Sequence, residues 1–224
     1  MLKTKNIIVA LDVNDLQRAQ SIMRQLRSAV TIYKIGPVLF TAYGPRVIEL
    51  ARQKGAEVFL DLKFHDIPNT VAGAVRQAVR LKVKMLTLHA AGGKEMLQAA
   101  AHAAADEAEK TKMKKPLLLG VTVLTSNKAV KGTRATVVAW ARGAQQAGLD
   151  GVVCSVHEAA AVRKACGKGF IIVTPGIRPK GAVAGDQKRV ATAQAAFAAG
   201  ANYIVVGRPI LEARNPLEAV KNIF

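Results

Sequence analysis

Short apolar runs recur along the chain, and each is followed by a longer stretch whose apolar positions fall at helical spacing. The runs cover residues 7–12, 30–35, 57–63, 85–89, 117–123, 151–155, 170–174 and 203–207. Most are rich in Val, Ile and Leu without strict polar alternation. Strands buried on both faces of a parallel sheet have this composition. The helical stretches cover 15–27, 37–54, 69–81, 94–110, 133–147, 157–165, 189–199 and 216–224. Asn14-Asp15 and Asn215-Pro216 supply N-cap and first-turn signals. Gly55, Gly148 and Gly200 each stand just after a helix, where a left-handed residue is wanted. Eight strand–helix units in 224 residues predict an α/β fold, a (β/α)8 TIM barrel, as a single domain over residues 1–224. A doubly wound open sheet is the rival. It would want a glycine-rich first turn for a dinucleotide, and Leu11-Asp-Val-Asn-Asp15 has no glycine.

Composition fills in the class. Half of the residues are hydrophobic and 21% are charged, enough for a substantial core without disulfides. Cys154 and Cys166 are expected as free thiols in a reducing cytosol. The first residues run directly into a strand pattern, with no signal region ahead of it. No apolar stretch approaches the roughly 18 residues that span a bilayer. A soluble, cytoplasmic protein with no membrane partner is expected. The net charge of +18 raises the question of nucleic acid. Aromatics make up 4%, so no basic-aromatic platform for single strands is present, and no zinc-finger or RNA-binding signature occurs. The densest basic run, Lys110-Thr-Lys-Met-Lys-Lys115, reads as a solvated helix end and loop. A nucleic-acid partner is therefore disfavoured, although the overall charge can attract an anionic substrate.

Active sites of such barrels lie at the C-terminal ends of the strands. Polar residues expected there are Asp12, Lys34, Asp61 and Lys63, followed by Asp66, His89, Thr122, Thr125, Arg178 and Arg208. Asp61 and Lys63 are two apart on a strand, so their side chains share a face. Lys34 on the next strand can join them. Nearby carboxylates favour the protonated ammonium, which makes Lys63 a candidate acid and cation. The bland alternative is a structural ion pair at the rim. Thr174-Pro-Gly-Ile-Arg178 follows strand 7 and Val205-Val-Gly-Arg-Pro209 follows strand 8. These are the two places where barrels often hold phosphate. Glycine admits backbone N–H groups and arginine adds a forked cation. Two tight turns with solvent-facing arginines are the alternative. The small, glycine-containing stretch over residues 179–185 fits a mobile loop beside that site, or an inert surface loop. The four histidines have no metal-ligand spacing, and His102 is expected in solvent on a helix. Cys154-Ser-Val-His157 lacks a nucleophile motif around it. Neither a Walker A sequence nor a G-x-G-x-x-G motif occurs.

Asp61-Leu-Lys-Phe-His-Asp-Ile-Pro-Asn-Thr70 resembles the D-x-K-x-x-D-I-P-x-T signature of the orotidine 5′-monophosphate decarboxylase family. The similarity runs along nearly the whole chain, through Ala10-Leu-Asp12, Tyr33-Lys-Ile-Gly36, Leu88-His-Ala-Ala-Gly-Gly93, Val121-Thr-Val-Leu-Thr-Ser126, Gly185-Asp-Gln187 and Val206-Gly-Arg208. It looks closest to the bacterial branch. The stretch over 126–133 is shorter than in bacterial members, and Ala191-Thr-Ala193 lacks a proline common there. The resemblance implies removal of CO2 from orotidine monophosphate to give UMP, with no cofactor and no metal. It implies a catalytic array of Lys63, Asp61, Lys34 and Asp66. Asp12 and Lys34 would contact the ribose, and Thr125 the pyrimidine. Gln187 would bridge base and phosphate, while Arg178, Gly207 and Arg208 would hold the phosphate. Asp66 and Thr70 would reach into the partner's site, which makes the expected form a homodimer with composite active sites. A Mg²⁺-dependent sugar-phosphate lyase of the same barrel superfamily shares D-x-K-x-x-D. It carries an acidic residue where Lys34 stands here, and a lysine there repels a divalent cation.

Overall fold

Eight parallel strands close into a barrel in strict chain order, β1 to β8, with β8 pairing back onto β1. The computed structural model describes residues 4–125, 130–179 and 189–224. The strands are β1 (Ile7–Ala10), β2 (Ile32–Ile35), β3 (Glu57–Phe64), β4 (Met85–His89), β5 (Leu117–Val121), β6 (Gly151–Val153), β7 (Ile171–Thr174) and β8 (Tyr203–Val206). All eight fall on the predicted apolar runs. The helices are α1 (Leu16–Leu26), α2 (Pro37–Tyr43), α3 (Arg46–Gln53), α4 (Pro68–Arg80), α5 (Gly93–Thr111), α6 (Thr133–Gln146), α7 (Val156–Cys166), α8 (Ala193–Ala198), α9 (Arg208–Leu211) and α10 (Pro216–Lys221).

Burial explains the missing polar alternation. Ile8, Ile32, Phe59, Met85, Leu119 and Val173 fill the barrel interior. The alternate residues, such as Ile7, Val9, Tyr33, Leu60 and Leu86, pack outward against the helices. Both faces of each strand are thus dry, as expected for a closed parallel sheet.

Three helix expectations need correction. The stretch 37–54 is two helices, broken at Gly44-Pro45. Pro45 has no N–H to give and would clash with the preceding turn, and Gly44 turns the chain at φ 55°. The stretch 189–199 is helical only from Ala193, where Thr192 caps the end by accepting from the Ala195 N–H. Ala191 is instead bridged to Ile177, and Arg189 is buried in an ion pair with Glu158. A short helix, α9, follows β8 directly where none was expected. Gly55, Gly148 and Gly200 do adopt left-handed backbone, at φ 77°, 91° and 95°. Among the described residues no helix is long and apolar enough to cross a membrane.

Candidate active site

The C-terminal mouth of the barrel opens into a cavity of about 540 Å³. Its floor is apolar, formed by Phe59, Val121, Val153 and Val205. Its wall on the β1–β3 side carries a row of charges of alternating sign. Lys34 Nζ donates to Asp12 Oδ1 at 2.8 Å and lies 3.5 Å from Asp61 Oδ2. Lys63 Nζ donates to the same Asp61 Oδ2 at 2.9 Å. The order along the wall is Asp12, Lys34, Asp61, Lys63. Lys34 and Asp61 are buried, Lys63 is half-buried, and Asp12 is exposed at the rim. Gly36 leaves this row its room, because a Cβ there would stand 3.2 Å from Lys34 Nζ.

Asp61 and Lys63 meet as expected, but a regular strand does not bring them together. The register between β3 and β4 breaks between Leu60 and Phe64, and Lys63 has φ 52°. A non-glycine residue in that region costs of order 1–3 kcal/mol and persists only where its surroundings hold it. Thr87 supplies the hold. Its Oγ1 accepts from the Lys63 N–H at 2.9 Å and donates to Asp61 Oδ1 at 3.0 Å. One fully buried hydroxyl therefore ties the bulge to the carboxylate beside it. Thr87 was not singled out in the sequence. Its parity with Met85 and His89 on β4, which places it on the inner face, is the signal that could have found it.

Electrostatics follow from the same contacts. Burial pushes the Asp61 carboxyl up, but the Lys34 and Lys63 ammoniums and the hydrogen bonds from Lys63 and Thr87 outweigh it. The net position is below the ordinary carboxylate value, so Asp61 is anionic. His89, whose ring centroid is 5.3 Å from that of His65, is held below the ordinary histidine range by burial, then by the charges of His65 and Lys63. Cys154 lines the cavity, yet burial pushes its thiol up to about 12. A thiol so placed is not a nucleophile near neutrality.

The remaining sequence candidates divide three ways. Thr125, Arg178, Gly207 and Arg208 line the same cavity, with Gly207 and Arg208 opening the short helix α9. Glu212, which the sequence did not flag, lines it too. Thr122 does not reach it: the side chain is buried and donates to the Val153 carbonyl. Asp66 and Thr70 are exposed and outside the cavity lining of this chain. Asp66 Oδ1 accepts from the Ile67 N–H at 2.6 Å. Gln187, and the loop of 179–185 beyond Pro179, lie outside the described residues.

A closed parallel barrel with a row of alternating charges at its C-terminal mouth, in one cavity with the glycine-arginine turns after β7 and β8, defines a (β/α)8-barrel enzyme. The chain belongs to the orotidine 5′-phosphate decarboxylase / HUMPS family, whose model matches residues 5–223. It is similar to the orotidine 5′-phosphate decarboxylase of Moorella thermoacetica, with 49% identity over 97% of this chain and 90% of that protein. With the enzyme of the same name from Syntrophomonas wolfei it shares 45% identity over 100% of this chain and 98% of that one. Among solved structures, the orotidine 5′-phosphate decarboxylase of Lactobacillus acidophilus superposes with a TM-score of 0.83. That match has 34% identity and covers 98% of this chain and 97% of that one.

Proposed function

We propose that the protein is a cytoplasmic orotidine 5′-phosphate decarboxylase. It converts orotidine 5′-monophosphate to UMP and CO2, the last step of UMP synthesis, without metal or cofactor. The observation that carries this reading is the row Asp12, Lys34, Asp61, Lys63 at the cavity wall. Ammonium groups stand on both sides of Asp61, where a metal-dependent lyase of this superfamily would need a second acid. The relatives' names point the same way.

Loss of CO2 breaks the C6–carboxylate bond and leaves its electron pair on C6, in the plane of the pyrimidine, with no covalent sink. Lys63 is a fixed cation at the cavity wall. It stabilises the developing anion and then delivers a proton to C6. Because Asp61 and the bulge hold Lys63 beforehand, little reorganisation is needed as charge develops. Asp61 sits where it would face the substrate carboxylate and disfavour the bound ground state. Asp12 and Lys34 contact the ribose hydroxyls and Thr125 the pyrimidine. Arg178, Gly207 and Arg208 take the phosphate, and Gln187 joins base to phosphate. Gripping the phosphate far from C6 supplies binding energy for the charged array to spend at the reacting atom. The direct test is Lys63→Ala, which should leave the fold intact and reduce turnover by at least about 10⁴-fold. Wild-type-like turnover would remove Lys63 from the chemistry.

The working form is a homodimer in which Asp66 and Thr70 complete the partner's site. Residues 65–70 are exposed throughout, and Ile67 among them is 67% exposed. An exposed apolar side chain between an acid and a threonine, none of them lining this chain's own cavity, suits a composite interface. Mixing Lys63→Ala and Asp66→Ala subunits tests this. Composite sites restore about a quarter of wild-type activity, since half of randomly paired dimers carry one intact site of two. No recovery on mixing would show that each site is built from one chain.

A further inference from the structure

At the opposite end of the barrel, where β3, β5 and β8 begin, lies a second cleft of about 600 Å³. Six cations line it: Arg52, Lys82, Lys84, Lys112, Lys114 and Lys115. Two are neutralised, Lys84 by Glu57 at 2.5 Å and Lys115 by Asp150 at 2.8 Å. Arg52, Lys82, Lys112 and Lys114 have no carboxylate partner among the described residues. Glu57 also lines the cleft, but the cations outnumber it, and a concave surface with a strong excess of one charge focuses its field on an incoming counter-ion. The basic run at 110–115 is the solvated helix end and loop that the sequence suggests, and it forms one rim of this cleft. Three of its four lysines, Lys112, Lys114 and Lys115, line this cleft beside basic residues from two other turns.

Backbone geometry adds an independent observation. Six turns lead from a helix into the next strand through a left-handed residue. In four of them that residue is glycine: Gly55, Gly148, Gly167 and Gly200. In the other two it is lysine, Lys82 at φ 56° and Lys112 at φ 54°. Glycine adopts this backbone freely, whereas a side chain is strained there. The two exceptions both line the one cleft. Strain kept at neighbouring turns, on like charges that repel each other, points to a ligand that needs those charges.

We propose that this basic cleft is a binding site for a compact phosphate oligoanion, free or carried on a nucleotide, separate from the cavity at the barrel mouth. Its volume is close to that of the mouth cavity and falls within the range of small-molecule sites. A triphosphate brings about as many negative charges as the cleft has unpaired cations. An extended nucleic-acid backbone would instead want a stripe of charge along an open surface.

Calorimetric titration of the full chain with inorganic tripolyphosphate, with ATP and with a single-stranded oligonucleotide tests this. Binding of tripolyphosphate or ATP should persist in Arg208→Ala, which alters the mouth. It should weaken about tenfold or more in the double variant Lys82→Gly/Lys112→Gly. That variant relieves both strained turns, so its melting temperature should hold or rise, and its turnover should match wild type. Tighter binding of ATP than of tripolyphosphate assigns the site to a nucleotide. Equal binding assigns it to the phosphate chain alone. The proposal fails if neither anion binds, if the double variant binds as wild type does, if Arg208→Ala abolishes binding, or if the oligonucleotide outcompetes both.

Discussion

Replacing Thr87 by valine keeps the side-chain shape and removes one hydroxyl, and that hydroxyl holds two groups of the charged array. The bond it donates to Asp61 Oδ1 is one to a charged acceptor, a kind worth about 1.5–3 kcal/mol. Without it the Lys63 N–H also loses its acceptor, and a buried unsatisfied donor costs about 1–3 kcal/mol. The two losses share one atom and do not simply add, so we expect about 2–4 kcal/mol of destabilisation. For a domain of this size that lowers Tm by roughly 4–16 °C. The left-handed turn at Lys63 is then free to relax. A displacement of about 1 Å in a catalytic group can cost 10²-fold, so kcat should fall roughly 10–100-fold. KM should move less, since Thr87 does not line the cavity. The Asp61 carboxyl should also titrate higher, because one of the hydrogen bonds that lower it is gone. Circular-dichroism melting and a steady-state absorbance assay measure these effects. Thr87→Ser, which keeps the hydroxyl, should stay close to wild type in kcat. Wild-type Tm and kcat in Thr87→Val would refute the view that this bridge holds the array.

Other expectations follow from the same geometry. Arg208→Ala should lower kcat/KM by about 10–100-fold, the loss of one charge-assisted contact to phosphate, and an unchanged value would remove Arg208 from that site. Asp61 has a folded value below its ordinary 3.8, so the unfolded chain binds its proton first as pH falls. The stabilisation it gives is complete above that value and is lost as pH drops through the folded one. Asp61→Asn should therefore flatten the acid limb of unfolding free energy against pH, by up to about 1.4 kcal/mol per pH unit. An unchanged limb would mean that Asp61 is not held ionised by its neighbours. Cys154, buried and raised to about 12, should resist thiol reagents in the native state and react on unfolding. Rapid native labelling of Cys154 would contradict its burial.

Strand order and strand positions were legible because each strand is a mostly apolar run, bounded by turn residues and largely buried on both faces. Helix ends were less so. Periodicity alone carried 37–54 across Gly44-Pro45, although the proline marks the break. It also carried 189–199 over residues that pair with Ile177 and Glu158, long-range contacts that no local pattern records. At the site, the parity of Asp61 and Lys63 brought the right pair together for an incomplete reason. Their meeting depends on a bulge and on left-handed backbone at Lys63. Thr87, which secures both, is a single small polar residue in an apolar strand. Such a residue is more often a packed threonine than part of a site. Lys82 and Lys112 were hidden in the same way, since charge is visible in a sequence but φ is not.

Orotidine 5′-monophosphate decarboxylation, followed by its absorbance change in metal-free buffer with EDTA present, tests the central proposal most directly. Stoichiometric UMP and CO2 are expected, at a rate unaffected by EDTA and nearly all lost in Lys63→Ala. No turnover of orotidine monophosphate by the folded protein, or turnover that EDTA abolishes and Mg²⁺ restores, would contradict it.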